Sequence, residues 1–343
     1  MFWSAASLVL TVAFTDVNDL TEREMRAWKK VQPSIVYLLD GQRVRGSAAL
    51  ISKDGLFLTH ATSVAGKAIQ GRKSDGSLVQ LVWIASDEPT QFVLLKAEEW
   101  EGDAQPVSVS VSKSVPEGLL AITPTGPIRA ERAKDAYGIV NPSRRMMAIS
   151  EVFLENNLPT MGGSLLVNMD GQLTGALNAA LGLSSSQNIQ KNRSGDTSRG
   201  TGNFGAGPGG LGGGGLASPK SAVTNSQYGP GILGSAYTIG PKMLNRVVAG
   251  FLSSDHTVKH PAIGILCRDA LPSGALIDTI TKDSPAEKAG LLKGDIINSI
   301  NNQAVRDQMD FARIMADQDV GETLKIWITR NGFRQLVSVE VGV

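Results

Sequence analysis

Side chains that could form a nucleophilic or metal-binding site are scarce in this 343-residue sequence. It contains three histidines, His60, His256 and His260, and a single cysteine, Cys267. One cysteine excludes both an internal disulfide framework and a metal site with several cysteine ligands. His256 and His260 have the spacing of a metal-binding pair, but they lie outside a clear helical pattern, and we expect a solvated linker there. The sequence therefore predicts no metal site.

Cofactor and nucleic-acid binding are not indicated either. Residues 205–210 match the glycine spacing of dinucleotide-binding loops, but no strand pattern precedes them and no helical pattern follows, so we expect no cofactor. The 33 basic and 32 acidic side chains leave a net charge of +1, and nucleic acid is therefore not an expected partner. With 42% hydrophobic and 19% charged residues, the chain can form globular cores.

The first 19 residues form a signal-like or membrane-tethering segment. Residues 1–15 carry no charge and contain a short apolar run, below the roughly 20 residues of a membrane-spanning helix and closer to a secretory signal. No basic residue precedes the run, so a misassigned start, or a segment that packs on the domain, is the alternative. We expect an exported protein that is periplasmic or membrane-tethered.

A glycine-rich segment occupies residues 184–235. Fourteen of the 38 glycines lie between Gly195 and Gly234, together with Ser, Asn, Thr and Pro. Such a composition buries too little apolar surface to offset the entropy lost on ordering. The segment is predicted to be a disordered insertion.

Short apolar runs separated by turn residues dominate the chain before this insertion. They include residues 34–38, 48–51, 56–58 and 92–95. Strands at this spacing predict a β-sandwich or barrel. A capping-box pattern at residues 21–24 predicts a helix ending near Val31, and a second helical pattern runs from Pro241 to Leu252. Near the end of the chain, Asn331-Gly332 between two apolar runs predicts a hairpin.

Residues 261–343 resemble a PDZ domain. The resemblance rests on Asp-Ser-Pro-Ala-Glu-Lys-Ala-Gly-Leu at 283–291, Lys-Gly-Asp-Ile-Ile at 293–297 and Ile-Asn at 300–301. It implies a small α+β domain in which a peptide adds a strand to the sheet edge, and backbone amides of a glycine-containing loop bind the terminal carboxylate. The residues that the resemblance places in the peptide site are Ile263, Gly264, Ile265, Phe311, Ile314 and Met315. Phe311 and Met315 could equally be core residues of an amphipathic helix.

Residues 20–258 resemble the trypsin-like domain of HtrA/Deg-type serine proteases. The matching strings include residues 33–36, 46–55, 58–59, 87–96 and 167–171. The order of protease domain, helix and PDZ domain is also that of this family. The resemblance implies a mainly β fold, in which a trypsin-like double β-barrel is followed by the PDZ domain.

The resemblance places the three catalytic roles on residues that cannot perform them. The position of the general-base histidine falls on Thr62, and that of the orienting aspartate falls on Gln91. The nucleophile position falls on Gly162, or on Met161 if one residue is inserted. A triad needs a base that takes the proton of the nucleophile and an acid that orients the base. The sequence therefore predicts a pseudoprotease with no intact catalytic residue.

A displaced catalytic pair is the fallback hypothesis. His60 lies near the base position and Ser164 near the nucleophile position. However, His60 is two residues from the required position, no acidic residue is matched to it, and we expect Ser164 in an exposed turn. An active trypsin-like endopeptidase with such a rearranged site is the alternative function.

The leading hypothesis is a catalytically inactive HtrA-like homologue that binds protein C-termini or extended peptides through its PDZ domain. It would act as a regulatory or scaffold component of protein quality control. The resemblance also implies partners of two further kinds, other copies of the chain and active protease relatives. A passive envelope component that does not use the groove is a third hypothesis.

Overall fold

A computed structural model describes residues 20–64, 68–123, 126–140, 145–155, 163–177, 181–183 and 234–343. The signal-like segment 1–19, residues 184–233 of the expected insertion, and the nucleophile candidates Met161 and Gly162 lie outside the described residues. Among the described helices, none combines the length and apolar character that crossing a membrane requires.

The first helix, α1 (Glu22–Val31), begins at the capping box that the sequence predicts. The backbone N–H of Glu24 donates to the Thr21 hydroxyl at 3.3 Å, and the backbone N–H of Thr21 donates to the Glu24 carboxylate at 2.7 Å. These bonds satisfy N–H groups that a helix start leaves unpaired. Ala27 and Val31 lie on its buried face. The prediction of this helix is confirmed.

Six strands then close into a barrel. They are β1 (Ile35–Asp40), β2 (Arg43–Ser52), β3 (Leu56–His60), β4 (Ala68–Arg72), β5 (Leu78–Asp87) and β6 (Phe92–Ala97). Their order around the barrel is β1-β2-β3-β6-β5-β4, and all pairs are antiparallel. Side chains from alternate positions fill the interior, among them Val36, Leu38, Phe57, Leu81 and Leu95.

A second sheet follows the barrel. Its strands are β7 (Gly118–Thr123), β8 (Gly126–Val140), β9 (Arg145–Leu154), β10 (Leu165–Asn168), β11 (Leu173–Ala176), β12 (Leu181–Leu183) and β13 (Gly234–Ile239). The order is β11-β10-β7-β8-β9-β13, with β12 paired to β8. Strand β8 was not predicted, because five charged residues interrupt its apolar pattern. Pairing with β7 and β9 holds it in the sheet.

Both sheets share one core, which a second helix completes. Leu58 of β3 and Leu165 of β10 lie in this core together with the buried face of α1. Helix α2 (Pro241–Phe251) adds Leu244 and Val247, both fully buried. The helix predicted to begin at Pro241 is confirmed. We call α1, β1–β13 and α2 the N-terminal unit.

The C-terminal unit has a core of its own. Its elements are β14 (Ile265–Asp269), β15 (Ala275–Ile280), α3 (Pro285–Lys288), β16 (Ile296–Ile300), β17 (Gln303–Ala304), α4 (Gln308–Ala316), β18 (Thr323–Arg330) and β19 (Phe333–Glu340). The sheet order is β14-β15-β16-β18-β19, with β17 beside β16. Asn331 and Gly332 have φ angles of 51° and 81° and join β18 to β19, which confirms the predicted hairpin.

The C-terminal end of α4 docks on the N-terminal unit. The Tyr137 hydroxyl of β8 donates to the Asp317 carboxylate at 2.7 Å. Arg246 of α2 donates to the Asp319 carboxylate at 2.5 Å and to the Gln318 carbonyl at 2.8 Å. The helix next to the expected peptide groove is therefore fixed against β8 and α2.

Candidate functional site

The expected base position lies in a short turn at the end of β3. His60 ends the strand, and Ala61–Ser63 form one 3₁₀ turn. The backbone N–H of Thr62 donates to Nδ1 of His60 at 3.3 Å, and the Thr62 hydroxyl lies 2.9 Å from the same nitrogen. Because Nδ1 accepts these bonds, the proton of the neutral imidazole is on Nε2. In this tautomer Nε2 cannot take a proton from a nucleophile.

His60 is buried without an acidic partner. Its side chain packs edge-on against Phe92, with 6.0 Å between the ring centroids, and Nε2 has no hydrogen-bond partner within the described residues. Burial lowers the pKa of His60 to about 4, because a charged imidazole would lose its hydration there. His60 is therefore neutral near pH 7. The nitrogen that an orienting acid would contact is occupied by Thr62.

Gln91, at the expected acid position, does not face His60. It lies between β5 and β6 with a φ of 62°, and its side-chain N–H donates to the Glu88 carbonyl at 2.6 Å. The backbone N–H of Ala61 donates to the Gln91 carbonyl at 2.8 Å, so the Gln91 backbone supports the turn that carries Thr62. Gln91 thus has a backbone contact with the base segment but supplies no carboxylate to it.

The segments expected to carry the base and the nucleophile touch each other. Gly163 has a φ of +87°, and a Cβ added to it would lie 2.3 Å from Ser63 Oγ and 2.6 Å from Thr62 Oγ1. The buried Ser63 hydroxyl donates to the Gly163 carbonyl at 3.4 Å, and the Gly163 N–H donates to the Leu177 carbonyl at 2.7 Å. No room is left for a side chain at position 163, and its N–H is not directed at a developing oxyanion.

Ser164, the fallback nucleophile, is buried and not in an exposed turn as expected. It is 2% exposed, and its carbonyl accepts a hydrogen bond from the Leu177 N–H at 2.8 Å. The expectation is wrong because the chain enters the buried strand β10 directly after Gly163 and Ser164. Ser164 forms no hydrogen bond to Nε2 of His60, which is unpartnered in the described part of the chain.

A cavity of about 350 Å³ lies between β14 and α4. Five of the six residues expected at the peptide site line it, namely Ile263, Gly264, Ile265, Phe311 and Met315. Ile314 lies instead in the buried core of the C-terminal unit and is not part of the lining. Helical periodicity alone does not separate a core position from a groove position on α4.

Gly264 shapes the loop before β14. It has a φ of +77°, and an added Cβ would lie 2.3 Å from the Cβ of Ser284, so only glycine fits. The carbonyls of Ile263 and Gly264 accept hydrogen bonds from the N–H groups of Ala286 and Thr281 at 2.9 and 2.8 Å. Among the described strands, β14 pairs only with β15. The fixed loop and the open strand edge provide the arrangement by which extended peptides are bound.

The N-terminal unit supplies part of the cavity wall. Met146 at the start of β9, and Met243 and Arg246 of α2, line the cavity. These residues were not predicted, because they follow no motif and reach the groove only through the docking of the two units.

His260 also lines the cavity, and the expected solvated linker is wrong for it. Its buried side chain places Nε2 2.7 Å from Oδ1 of Asp87, whose Oδ2 accepts from the hydroxyl and N–H of Thr90 at 2.5 and 3.1 Å. His256 is directed elsewhere, with Nδ1 2.6 Å from the Phe251 carbonyl. The described residues contain no group of three or more His, Cys, Asp or Glu side chains placed to hold a metal ion.

The fold and the site together define a class of protein, one with a trypsin-like pair of β-units followed by a peptide groove of PDZ type. A family model for the PDZ domain matches residues 261–341. A probable periplasmic serine endoprotease DegP-like from Marinomonas sp. (strain MWYL1) is 26% identical over 317 residues, which cover 87% of this chain and 57% of the relative. A relative of the same description from Rhizobium meliloti (strain 1021) is 31% identical over 123 residues, 33% of this chain and 24% of the relative. The chain thus spans little more than half the length of the curated relatives that it matches along most of its sequence.

Solved structures share the fold. The HtrA-type protease AlgW with a decapeptide has a TM-score of 0.60 at 16% identity, covering 93% of this chain and 98% of that one. The serine endoprotease from Yersinia pestis has a TM-score of 0.51 at 17% identity, covering 94% and 98%. The chain thus carries a C-terminal PDZ domain and is similar along most of its length to HtrA/DegP-like serine proteases, and the predicted mainly β, trypsin-like fold is confirmed.

Proposed function

We propose that this protein is a catalytically inactive HtrA-type protease homologue that binds protein C-termini or extended peptides through its PDZ groove. The observation that carries the proposal is the direct contact between Gly163 and the turn of Thr62 and Ser63. In a working triad, the side chain at this point must accept the proton of the nucleophile, whereas this turn presents the hydroxyls of Thr62 and Ser63 to Gly163.

The chemistry of the residues at this contact supports inactivity. Neither the hydroxyl of Thr62 nor the amide of Gln91 accepts a proton near neutral pH. His60, the nearest imidazole, is neutral but has its proton on Nε2 and no carboxylate at Nδ1. Loss of the base alone costs a serine protease on the order of a million-fold in turnover.

The groove supports the binding role. It combines the Gly264 loop, the open edge of β14 and an apolar wall that includes Phe311 and Met315. The structure of AlgW with a decapeptide is a precedent for peptide binding on this fold. Because the matched relatives are described as periplasmic, we place this protein in the periplasm, as a regulatory or scaffold component of protein quality control that assembles with itself or with active relatives.

Two assays on the purified full chain test this function. A fluorophosphonate-rhodamine probe, which reacts only with an activated serine, should leave the chain unlabelled while it labels trypsin. N-terminally fluorescein-labelled decapeptides that end in a free-carboxyl Val, Leu, Ile or Phe should raise fluorescence anisotropy on binding.

The active-endopeptidase alternative makes the opposite prediction. Probe labelling together with casein cleavage, both abolished by Ser164→Ala and by His60→Gln, would establish a rearranged catalytic site and overturn the proposal. If no peptide of the set binds, the binding half of the proposal fails.

A further inference from the structure

We propose that His260 binds the terminal carboxylate of the peptide through Nδ1, with uptake of one proton, and that Asp87 of the N-terminal unit holds His260 in position. This inference rests on the proposed function, since it concerns the same groove. It adds a side-chain group to the carboxylate site and makes peptide affinity depend on pH.

The first argument is the position and hydrogen bonding of His260. Its side chain lines the cavity, close to the Gly264 loop in the chain. Nε2 is engaged by the Asp87 carboxylate at 2.7 Å, whereas Nδ1 is buried and has no hydrogen-bond partner in the described residues. A buried polar atom without a partner is costly, and a ligand atom can relieve that cost. Nδ1 is the nitrogen left for a ligand.

The second argument is the charge around the cavity. Among the described residues, its lining contains two basic side chains, Arg246 and His260, and no acidic one. Arg246, from α2, already donates to Asp319 and to the Gln318 carbonyl. Helix α4 presents only apolar side chains to the cavity, which are Phe311, Ala312, Met315 and Ala316. The lining therefore favours an anionic ligand end, and His260 is the basic group that has a nitrogen without a hydrogen-bond partner in the described residues.

The tautomer of His260 determines whether Nδ1 can donate a hydrogen bond to a carboxylate. Asp87 accepts two hydrogen bonds from Thr90 and faces Nε2 of His260, so Nε2 carries a proton. In the neutral imidazole Nδ1 then has a lone pair, which repels a carboxylate. Only the imidazolium carries a second proton on Nδ1 and can donate to the carboxylate. Binding of one carboxylate thus takes up one proton from solvent, and no covalent bond changes.

The groups that face His260 are few within the described residues. Asp87, at the end of β5, supplies the negative charge in contact with it, and Arg246 of α2 shares the cavity. Lys259, its chain neighbour, is exposed. A charge-assisted hydrogen bond of this kind changes affinity roughly ten- to a hundredfold.

The test uses the full chain and the fluorescein-labelled decapeptides described above, each with a C-terminally amidated twin. The free-carboxyl peptides should bind about tenfold or more tightly at pH 5.5 than at pH 8, whereas the amidated twins should not. Calorimetry at pH 7 in phosphate and in Tris buffer should report proton uptake for the free acids. His260→Gln should remove the pH dependence, and His256→Gln, the matched control, should retain it.

The outcomes separate the two proposals. Binding of the free acids with the same Kd at both pH values, and no proton uptake by the unaltered chain, overturns the role of His260 and leaves the proposed function standing. Absence of binding by every free-carboxyl peptide at both pH values overturns both. The calorimetric measurement of proton uptake uses the unaltered chain, so it tests the role of His260 even if His260→Gln does not fold.

Discussion

Oδ1 of Asp87 and Nε2 of His260 lie 2.7 Å apart, although 173 positions separate the two residues in the chain. Asp87 ends β5 of the barrel, four residues before Gln91, and His260 leads into the peptide-binding loop. Both side chains are buried. The pair therefore links the segment of Gln91, the expected acid position, to the groove of the C-terminal unit.

Breaking this pair should destabilise the protein. Asp87→Ala leaves His260 and the N–H of Thr90 without their acceptor, and each buried hydrogen bond lost to a carboxylate costs about 1.5–3 kcal/mol. Asp278→Ala is the control, because Asp278 is exposed and pairs with Lys293 at 3.7 Å, which is worth at most about 1 kcal/mol. Urea denaturation measures both. Equal costs for the two variants would show that the buried contact does not form in solution.

His60 should make the folded state sensitive to acid. Burial lowers its pKa from the ordinary 6.5 to about 4. Between these values the unfolded chain binds more protons than the folded chain, so the free energy of unfolding decreases as pH falls from about 6.5 to about 4, by on the order of 3 kcal/mol. Across this pH range, the free energy of unfolding of His60→Leu, measured by urea denaturation, should decrease by on the order of 3 kcal/mol less than that of the unaltered chain. His256→Gln, a variant at a partly buried histidine, is the control, and its free energy of unfolding should change with pH as that of the unaltered chain does. A His60→Leu curve of unfolding free energy against pH that is parallel to the curve of the unaltered chain would contradict the prediction.

A methyl group at position 163 should be tolerated poorly. Gly163 and Gly76 have the same φ of +87°, but a Cβ at Gly76 would meet open space, whereas one at Gly163 would meet Ser63 Oγ at 2.3 Å. Both alanine variants bear the backbone cost of about 1–2 kcal/mol, and Gly163→Ala should lose about 2 kcal/mol more through overpacking. Thermal denaturation compares them.

The second substitution Ser63→Gly should recover part of the loss in Gly163→Ala, since it removes Ser63 Oγ, the nearest clashing atom, and leaves Thr62 Oγ1 at 2.6 Å. If the two glycine variants are equally stable, the contact between the base and nucleophile segments is looser than described.

The peptide loop should depend on Gly264 for its shape. Gly264→Ala places a Cβ 2.3 Å from the Ser284 Cβ, whereas at Gly290, which has a similar φ of +81°, an added Cβ meets nothing within 4 Å. We expect Gly264→Ala to weaken binding of the free-carboxyl decapeptides about tenfold or more, because the loop must shift. Gly290→Ala should lose only stability, about 1 kcal/mol, and keep its affinity. Anisotropy titrations at 25 °C distinguish the two, and unchanged binding by Gly264→Ala would place the carboxylate elsewhere.

Short sequence patterns predicted the elements that interactions between neighbouring residues stabilise. The capping box of Thr21 and Glu24 marks the start of α1, and Asn331-Gly332 marks the hairpin, because each depends on residues within four positions of one another. Strand β8 escaped prediction, since its charged residues follow no two-residue alternation and neighbouring strands hold it in place.

The site was predictable only in part, for the same reason. Family resemblance indicated Thr62 and Gln91 as the occupants of two catalytic positions, and five of the six expected groove residues do line the cavity. It could not indicate that Ser164 is buried or that Ile314 belongs to the core, because side-chain direction depends on what packs against the element.

The sequence by itself determined which residues stand at the expected catalytic positions and which string forms the C-terminal unit. The tertiary structure decided that Gly163 contacts Ser63, that Met146 and Arg246 line the groove, and that His260 is paired with Asp87. These contacts join residues far apart in the chain. They form only when elements that are distant in the sequence pack together, so neither the spacing nor the composition of the residues predicts them.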